Sequence, residues 1–121
     1  MDDAYARIHQ PLLDEAAVLI TSMDANLELL TFLVKDLLKG DEDDLIPDFE
    51  QLAAAIDEVL YRTGIMAAET LEALNRYAPG LPVAQVEQFA ALTRRYCETT
   101  DRWEQVCEAV HGVWKMRMPP H

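Results

Sequence analysis

The chain has 121 residues, of which 50% are apolar, and a formal net charge of −12. A chain of this length buries a core as one domain without disulfides or metals, and its apolar share excludes global disorder. The negative charge repels nucleic acid and anionic lipid, so we expect neither direct nucleic-acid binding nor membrane binding.

We expect no targeting signal in this sequence. Its N-terminus begins with acids and lacks the apolar core of a secretory signal, and its longest unbroken apolar run, residues 16–20, is too short to cross a bilayer. Cys97 and Cys107 are ten residues apart in a helical pattern, about 15 Å along the axis, so they cannot pair with each other. We therefore expect a cytoplasmic protein with reduced thiols.

The first helical segment is predicted to begin at Pro11, which suits a first turn, and to end at Gly40. Residues 2–9 can add a short leading helix. The apolar positions of the segment recur at steps of three or four, as a helix facing a core requires. They are Leu12, Ala16, Leu19, Met23, Leu27, Leu30, Val34 and Leu37.

A second apolar strip lies on the opposite side of this segment and comprises Val18, Ala25, Leu29 and Phe32. Two interpretations are open. In the first, this is the central helix of the bundle and both other helices cover it. In the second, Val18, Leu29 and Phe32 contact a second copy or a partner.

The second helical segment is predicted to begin within residues 44–47 and to end before Pro79. Its stripe has the same spacing and weakens at Gly64, which costs about 1 kcal/mol relative to alanine. The stripe contains Phe49, Leu52, Ile56, Val59, Thr63, Met66, Thr70, Leu74 and Tyr77. Tyr61 and Ile65 lie off this stripe, where apolar side chains indicate an oligomer interface.

The third segment is predicted to run from Pro82 or Val83 to residues 111–112. Thr and Asp at residues 99–101 can cap a new helix, so the sequence allows a break there. Its stripe contains Val86, Phe89, Thr93, Tyr96, Thr100, Trp103, Cys107 and Val110. Short connections make consecutive helices antiparallel neighbours. The predicted fold is all-α: one domain over residues 1–121, an elongated antiparallel three-helix bundle with the short N-terminal helix as an option.

Residues 40–61 carry eight acids and no base. A calcium loop starting at Asp41 needs a glycine at its sixth place and a glutamate at its twelfth, where this chain has Ile46 and Leu52. One interpretation is a solvated acidic turn whose acids cap the next helix. The other is an electrostatic contact with a basic protein surface. The acids assigned to that contact are Asp41, Glu42, Asp43, Asp48, Glu50, Asp57 and Glu58.

Two further carboxylate pairs, Glu69-x-x-Glu72 and Glu98-x-x-Asp101, form a more specific pattern. It resembles the magnesium-binding signature of the all-α nucleoside triphosphate pyrophosphohydrolases, typified by MazG and the dimeric dUTPases. The resemblance implies that these four carboxylates hold Mg²⁺ and a nucleoside triphosphate. The helical phase argues against it, because both pairs lie opposite the apolar stripes and are predicted to face water.

The remaining chemistry-bearing residues form only half-sites. Glu108-x-x-His111 is half of a di-iron motif, and Cys107 with His111 is half of a zinc site, but the chain has no second half for either. Ser22 is the single serine, and no phosphate-binding glycine loop is present. We therefore expect no metal, no cofactor and no catalytic residue.

Charge is divided unevenly between the two halves of the chain. Residues 1–58 hold 15 acids and three bases, whereas residues 59–121 hold seven of each. The sequence favours a non-catalytic acidic module, an inhibitor or regulator that occupies a basic surface as nucleic-acid mimics do, with homodimerisation also expected. The alternatives are a cytosolic chaperone or adaptor of a secretion or flagellar system, which holds an apolar segment, and the pyrophosphohydrolase.

Overall fold

The structure is a computed structural model that describes residues 3–39 and 42–117, with side chains over 7–35 and 51–112. Three long helices account for almost all of this: α1 (Asp3–Lys39), α2 (Glu42–Tyr77) and α3 (Val83–Arg117). A short 3-10 turn, Ala78–Gly80, joins α2 to α3. The prediction of an all-α three-helix bundle is confirmed, and no strand occurs within the described residues.

Helix α1 begins earlier than the sequence predicts, since the leading helix is continuous with it and Pro11 lies inside. A proline within a helix leaves one backbone carbonyl without its bond. The burial of side chains before and after Pro11 offsets the free-energy cost of the missing hydrogen bond. His9 is buried and its ring lies 4.7 Å from that of Tyr77, while Leu13 is fully buried in the core.

Helix α3 is unbroken at residues 99–101, where the sequence allows a break. The Thr99 hydroxyl donates to Asp24 Oδ1 at 2.6 Å, and the Thr100 hydroxyl donates to the Cys97 carbonyl at 2.9 Å. Both hydroxyls therefore have acceptors that do not require a new helix start. The helix continues to Arg117, beyond the predicted end at residues 111–112.

Helix α1 is the centre of the bundle: it packs along both α2 and α3, which touch each other at few points. Its core positions recur with the predicted period. They are Leu13, Ala16, Ile20, Met23, Leu27, Leu30 and Val34. The partners Gln10–Gln85 and Asp24–Thr99 are both 75 residues apart, so α1 and α3 run parallel in one register.

The predicted stripe of α2 has the right period but is only partly buried: Ile56 and Leu74 enter the core as predicted, and other members do not. The residues that enter the core are Ala53, Ile56, Leu60, Ala67, Leu71 and Leu74. Leu52, Val59 and Met66 of the predicted stripe are exposed instead. Small residues let two helices approach closely, so the core uses alanines in place of larger side chains that would hold α1 and α2 apart.

Candidate functional site

Most of the acidic segment is described only by its backbone. Asp41 lies outside the described residues, and the side chains of Glu42, Asp43, Asp48 and Glu50 are outside the described set as well. The helix α2 begins at Glu42, which corrects the prediction of a turn running to residues 44–47. The first turn of α2 therefore contains several acids, where negative charge interacts favourably with the N-terminal end of a helix.

The last two acids of the predicted contact have partners within the chain. Glu58 is exposed and forms an ion pair with Arg62 at 2.7 Å. Asp57 is half-buried between α2 and α3: Trp103 Nε1 donates to its Oδ1 at 2.8 Å, and Cys107 Sγ lies 3.5 Å from the same oxygen. Asp57 thus joins two helices, which leaves it less free for an outside partner than Glu58.

Cys107 is a protonated thiol rather than a nucleophile. Burial raises its pKa to about 11, and the Asp57 carboxylate adds to the shift through its charge and its hydrogen bond. His111, the other member of the suggested zinc half-site, is exposed. Since thiolate, not thiol, binds metal and attacks electrophiles, this environment disfavours both roles for Cys107.

The four carboxylates of the pyrophosphohydrolase pattern, Glu69, Glu72, Glu98 and Asp101, are all exposed. Their predicted orientation toward water is therefore confirmed. Glu72 forms an ion pair with Arg76 at 3.4 Å. Among the side chains that the structure describes, no three His, Cys, Asp or Glu residues are grouped closely enough to hold a metal ion.

The side chains assigned to an oligomer interface are exposed. Val18 and Phe32 of α1 are 67% and 64% exposed, Leu29 is half-exposed, and Tyr61 and Ile65 of α2 are also exposed. The interpretation of α1 as the central helix contacted by both others is confirmed, but neither helix covers its second strip. Helices α2 and α3 both pack against the side of α1 that carries its core residues, opposite the second strip. The interface itself stays a prediction.

Sequence reasoning missed the polar group that attaches α3 to α1. Asp24 accepts a hydrogen bond from the buried Thr99 and forms ion pairs with Arg95 at 3.2 Å and Arg102 at 3.6 Å. Arg95 also donates to Thr21 at 3.4 Å. In the sequence, Asp24 is a single acid beside an apolar stripe, and one sequence does not show which distant base it pairs with.

An open pocket of about 470 Å³ lies between α1 and α3. Phe32 and Val106 supply its apolar lining, and Glu28, Lys35 and Arg102 supply charges of both signs. Such a mixed, open surface can accept a side chain of another protein. It has no convergent set of catalytic groups.

By length and composition, the stretch Arg7–Lys35 of α1 is apolar enough to cross a membrane, since an 18-residue window within it has a mean hydropathy of 1.5. Acids such as Asp14 and Asp24 interrupt the apolar residues of this stretch, so it contains no long unbroken apolar run. The buried core helix of a globular bundle passes the same test. Here one face of the stretch is the core face of α1.

No protein-family model matches the chain, and no curated protein or solved structure matches it either.

Proposed function

We propose that this chain is a non-catalytic, acidic protein-binding module that occupies a basic surface of a partner protein, of the kind that normally holds a nucleic-acid backbone. The observation that carries the proposal is the run of eight acids without a base over residues 40–61. Five of them, Glu42, Asp43, Asp44, Asp48 and Glu50, lie within the first nine residues of α2. An inhibitor or regulator of a nucleic-acid-binding protein needs such a surface.

The distribution of cations supports this assignment. Four arginines form ion pairs within the chain: Arg62 and Arg76 with glutamates of α2, and Arg95 and Arg102 with Asp24. Each pair neutralises its own members locally, and of the acids in residues 40–61 with described side chains, Glu58 is the one that takes part in such a pair. The acidic segment has no base within its own 22 positions, so its field extends about one Debye length, ~8 Å, into physiological solvent.

The number of acids exceeds what a helix start needs. One or two carboxylates at the beginning of α2 satisfy free N–H groups and the helix dipole, a gain of about 0.3–1 kcal/mol each. Further acids close by repel one another, and a turn or cap can use Ser or Asn instead. An excess of like charge that destabilises the free protein is explained when a basic partner neutralises it and gains association rate from it.

The exposed apolar flank of α2 favours a second candidate function, the chaperone or adaptor. Leu52, Val59 and Met66 recur every seven residues and are 50%, 44% and 49% exposed. A row of this kind can hold an apolar helix of a partner. The two functions differ in their response to salt: binding through carboxylates weakens steeply as salt rises, whereas binding through an apolar row barely changes.

The test neutralises the acids without changing their shape. The variant Asp41→Asn, Glu42→Gln, Asp43→Asn is compared with a control that loses the same charge from exposed positions of α3: Glu87→Gln, Glu104→Gln, Glu108→Gln. Each immobilised protein is incubated with lysate of its source, and bound proteins are eluted by salt steps. We expect the first variant to lose affinity for the salt-eluted partner by about tenfold, mainly in association rate, and the control to retain it.

Duplex DNA and heparin added as competitors complete the test. A partner that uses a nucleic-acid-binding surface is displaced by both polyanions, and the displacement identifies the surface. Equal binding by the parent chain and both variants, with elution only by detergent, would instead support the apolar adaptor function. A partner lost equally by both variants would show that total charge, and not the segment 41–50, is what matters.

A further inference from the structure

We propose that the exposed face of α1 pairs with the same face of a second copy of this chain, antiparallel, about a two-fold axis at Ala25. The inference does not depend on the proposed acidic contact, because it uses other residues, although its α2 residues Leu52, Val59 and Met66 are those of the adaptor function. It rests on three observations: the spacing of the exposed apolar side chains, the symmetry of their positions about Ala25, and the charges that flank them.

Four exposed side chains of α1 and the half-buried Ser22 form a heptad seam. Val18, Ala25 and Phe32 follow one another every seven residues, and Ser22 and Leu29 lie four residues after the first two. Alternating steps of four and three are the spacing with which two helices pack side by side. Between Val18 and Phe32 the seam positions carry no charge, in a chain with a net charge of −12.

The seam is complementary to itself in the antiparallel direction. With the axis at Ala25, Val18 of one copy lies opposite Phe32 of the other, and Ser22 lies one residue, about 1.5 Å, from the level of Leu29. Each large side chain therefore faces a smaller one, and alanine, the smallest, faces itself. Alternation of large and small side chains across an interface allows two helices to interdigitate without voids.

Charges beside the seam are complementary in the same arrangement. Asp14 and Lys35 are exposed and lie on the same flank of the seam, the flank nearer to α3. A two-fold axis at Ala25 brings Asp14 of each copy beside Lys35 of the other. A parallel pairing would instead place this flank of the two copies on opposite sides of the seam, so that Asp14 and Lys35 would not meet.

The antiparallel direction also separates the acidic segments. Ala25 lies 14 residues before the end of α1, about 21 Å along the helix axis. The acidic segments of the two copies then lie about 40 Å apart, several Debye lengths, at opposite ends of the dimer. A parallel dimer would place them side by side.

Helix α2 extends the same face. Its row Leu52, Val59 and Met66 lies on the flank away from α3, since Asp57 and Gly64 contact α3 from the other flank. Leu52 and Val59 lie nearer than Met66 to the acidic N-terminal end of α2. An apolar face shared by two neighbouring helices is larger than a single seam, and a stable interface needs about 800 Å² from each partner.

The two-fold axis placed at Ala25 of α1 is also compatible with the positions of the exposed apolar residues of α2. A side chain at Gly64 would lie 3.5 Å from Met23, so these two residues are at the same level of the antiparallel pair. Ala25 is then level with the midpoint between Val59 and Met66. One two-fold axis therefore sets Val59 of each copy opposite Met66 of the other, in addition to the contacts of α1.

A cysteine at the axis gives the most direct test. In a Cys97→Ser background, which removes the exposed thiol, Ala25→Cys is expected to form a disulfide-linked dimer under mild oxidation. Val18→Cys is the matched control: it is equally accessible but faces Phe32 and not itself. Equal cross-linking of both variants would overturn the proposed axis, as would a monomeric mass of the parent chain by light scattering at about 100 μM.

Charge reversal tests the orientation. Asp14→Lys and Lys35→Asp should each raise the dimer dissociation constant about threefold, and the double variant should restore the parent value. Ala25→Glu puts two like charges at the axis and should raise it more than tenfold, while the helical circular dichroism of this exposed position stays unchanged. Additive losses in the double charge variant would contradict the antiparallel pairing.

Discussion

Helix α1 holds its two neighbours by different means. Its contact with α2 is almost wholly apolar, with fully buried side chains such as Leu27 and Leu60. Its contact with α3 combines aromatic side chains with polar links, of which Asp24–Thr99 at 2.6 Å and Gln85–Gln10 at 3.0 Å are examples. The α1–α2 pair is thus held by the hydrophobic effect, and α3 is positioned largely by directional bonds.

This difference affects both stability and specificity. Apolar burial is not directional, so it tolerates changes of register, whereas each hydrogen bond fixes one pair of atoms. The two links at a constant offset of 75 residues set the register of α3. We expect that α1–α2 supplies most of the free energy of unfolding and that α3 depends on a few polar groups.

The largest expected effect is the loss of an apolar side chain from the α1–α2 contact. Leu60→Ala should lower the free energy of unfolding by about 3 kcal/mol, because it removes buried carbons and leaves a cavity. Leu52→Ala, at a half-exposed position of the same helix, should lower it by less than about 1 kcal/mol. Urea unfolding of both variants at low protein concentration measures the difference. Equal losses in the two variants would mean that α2 buries the stripe predicted from its sequence, which contains Leu52.

A smaller loss is expected where α3 is attached. Asp24→Ala should lower the free energy of unfolding by about 2 kcal/mol, since the buried Thr99 hydroxyl loses a charged acceptor. The partly exposed arginine pairs contribute little to this value. Glu15→Ala, at an exposed position of α1, should change it by no more than about 0.5 kcal/mol. Hydrogen exchange of the Asp24→Ala variant should show lost protection in α3 and unchanged protection in α1 and α2. Equal loss in all three helices would contradict the view that α3 is attached separately by polar groups.

A gain is expected at Gly64, where all three helices meet. A Cβ there lies 3.5 Å from Met23 Cε and 3.7 Å from Trp103 Cζ3, which are ordinary contact distances. Gly64→Ala should therefore raise the free energy of unfolding by about 0.5–1 kcal/mol through helix propensity. Gly112→Ala, where no atom lies within 4 Å, is the control and should give a similar gain. A loss at Gly64 alone would show that the three helices approach more closely here.

The smallest effect concerns the polar contact between α2 and α3. Asp57→Asn removes the negative charge that helps to raise the pKa of Cys107 to about 11, so that pKa should fall. The thiol then ionises at lower pH, and alkylation of Cys107 at pH 9 in a Cys97→Ser background should become faster. Asp101→Asn, an exposed acid of α3, should leave the rate unchanged. An unchanged rate in Asp57→Asn would mean that burial alone sets this pKa.

The sequence by itself determined the helical class, the number of long helices and the period of their apolar residues. These features follow from local geometry, because a repeat of 3.6 residues and the breaks at glycine and proline act within a few positions. The outward direction of Glu69, Glu72, Glu98 and Asp101 follows from the same period. So does the presence of a second apolar strip on α1.

Only the tertiary structure decided which of the apolar strips is buried. Ala53 and Ala67 enter the core while Val59 and Met66 remain outside, because closeness of approach between helices outweighs the hydrophobicity of single side chains. The continuity of α1 through Pro11 likewise depends on burial against other helices. Asp24 meets its bases, and Asp57 meets Trp103, across more than 40 positions of sequence. Such pairings depend on how whole helices pack, which no local pattern contains.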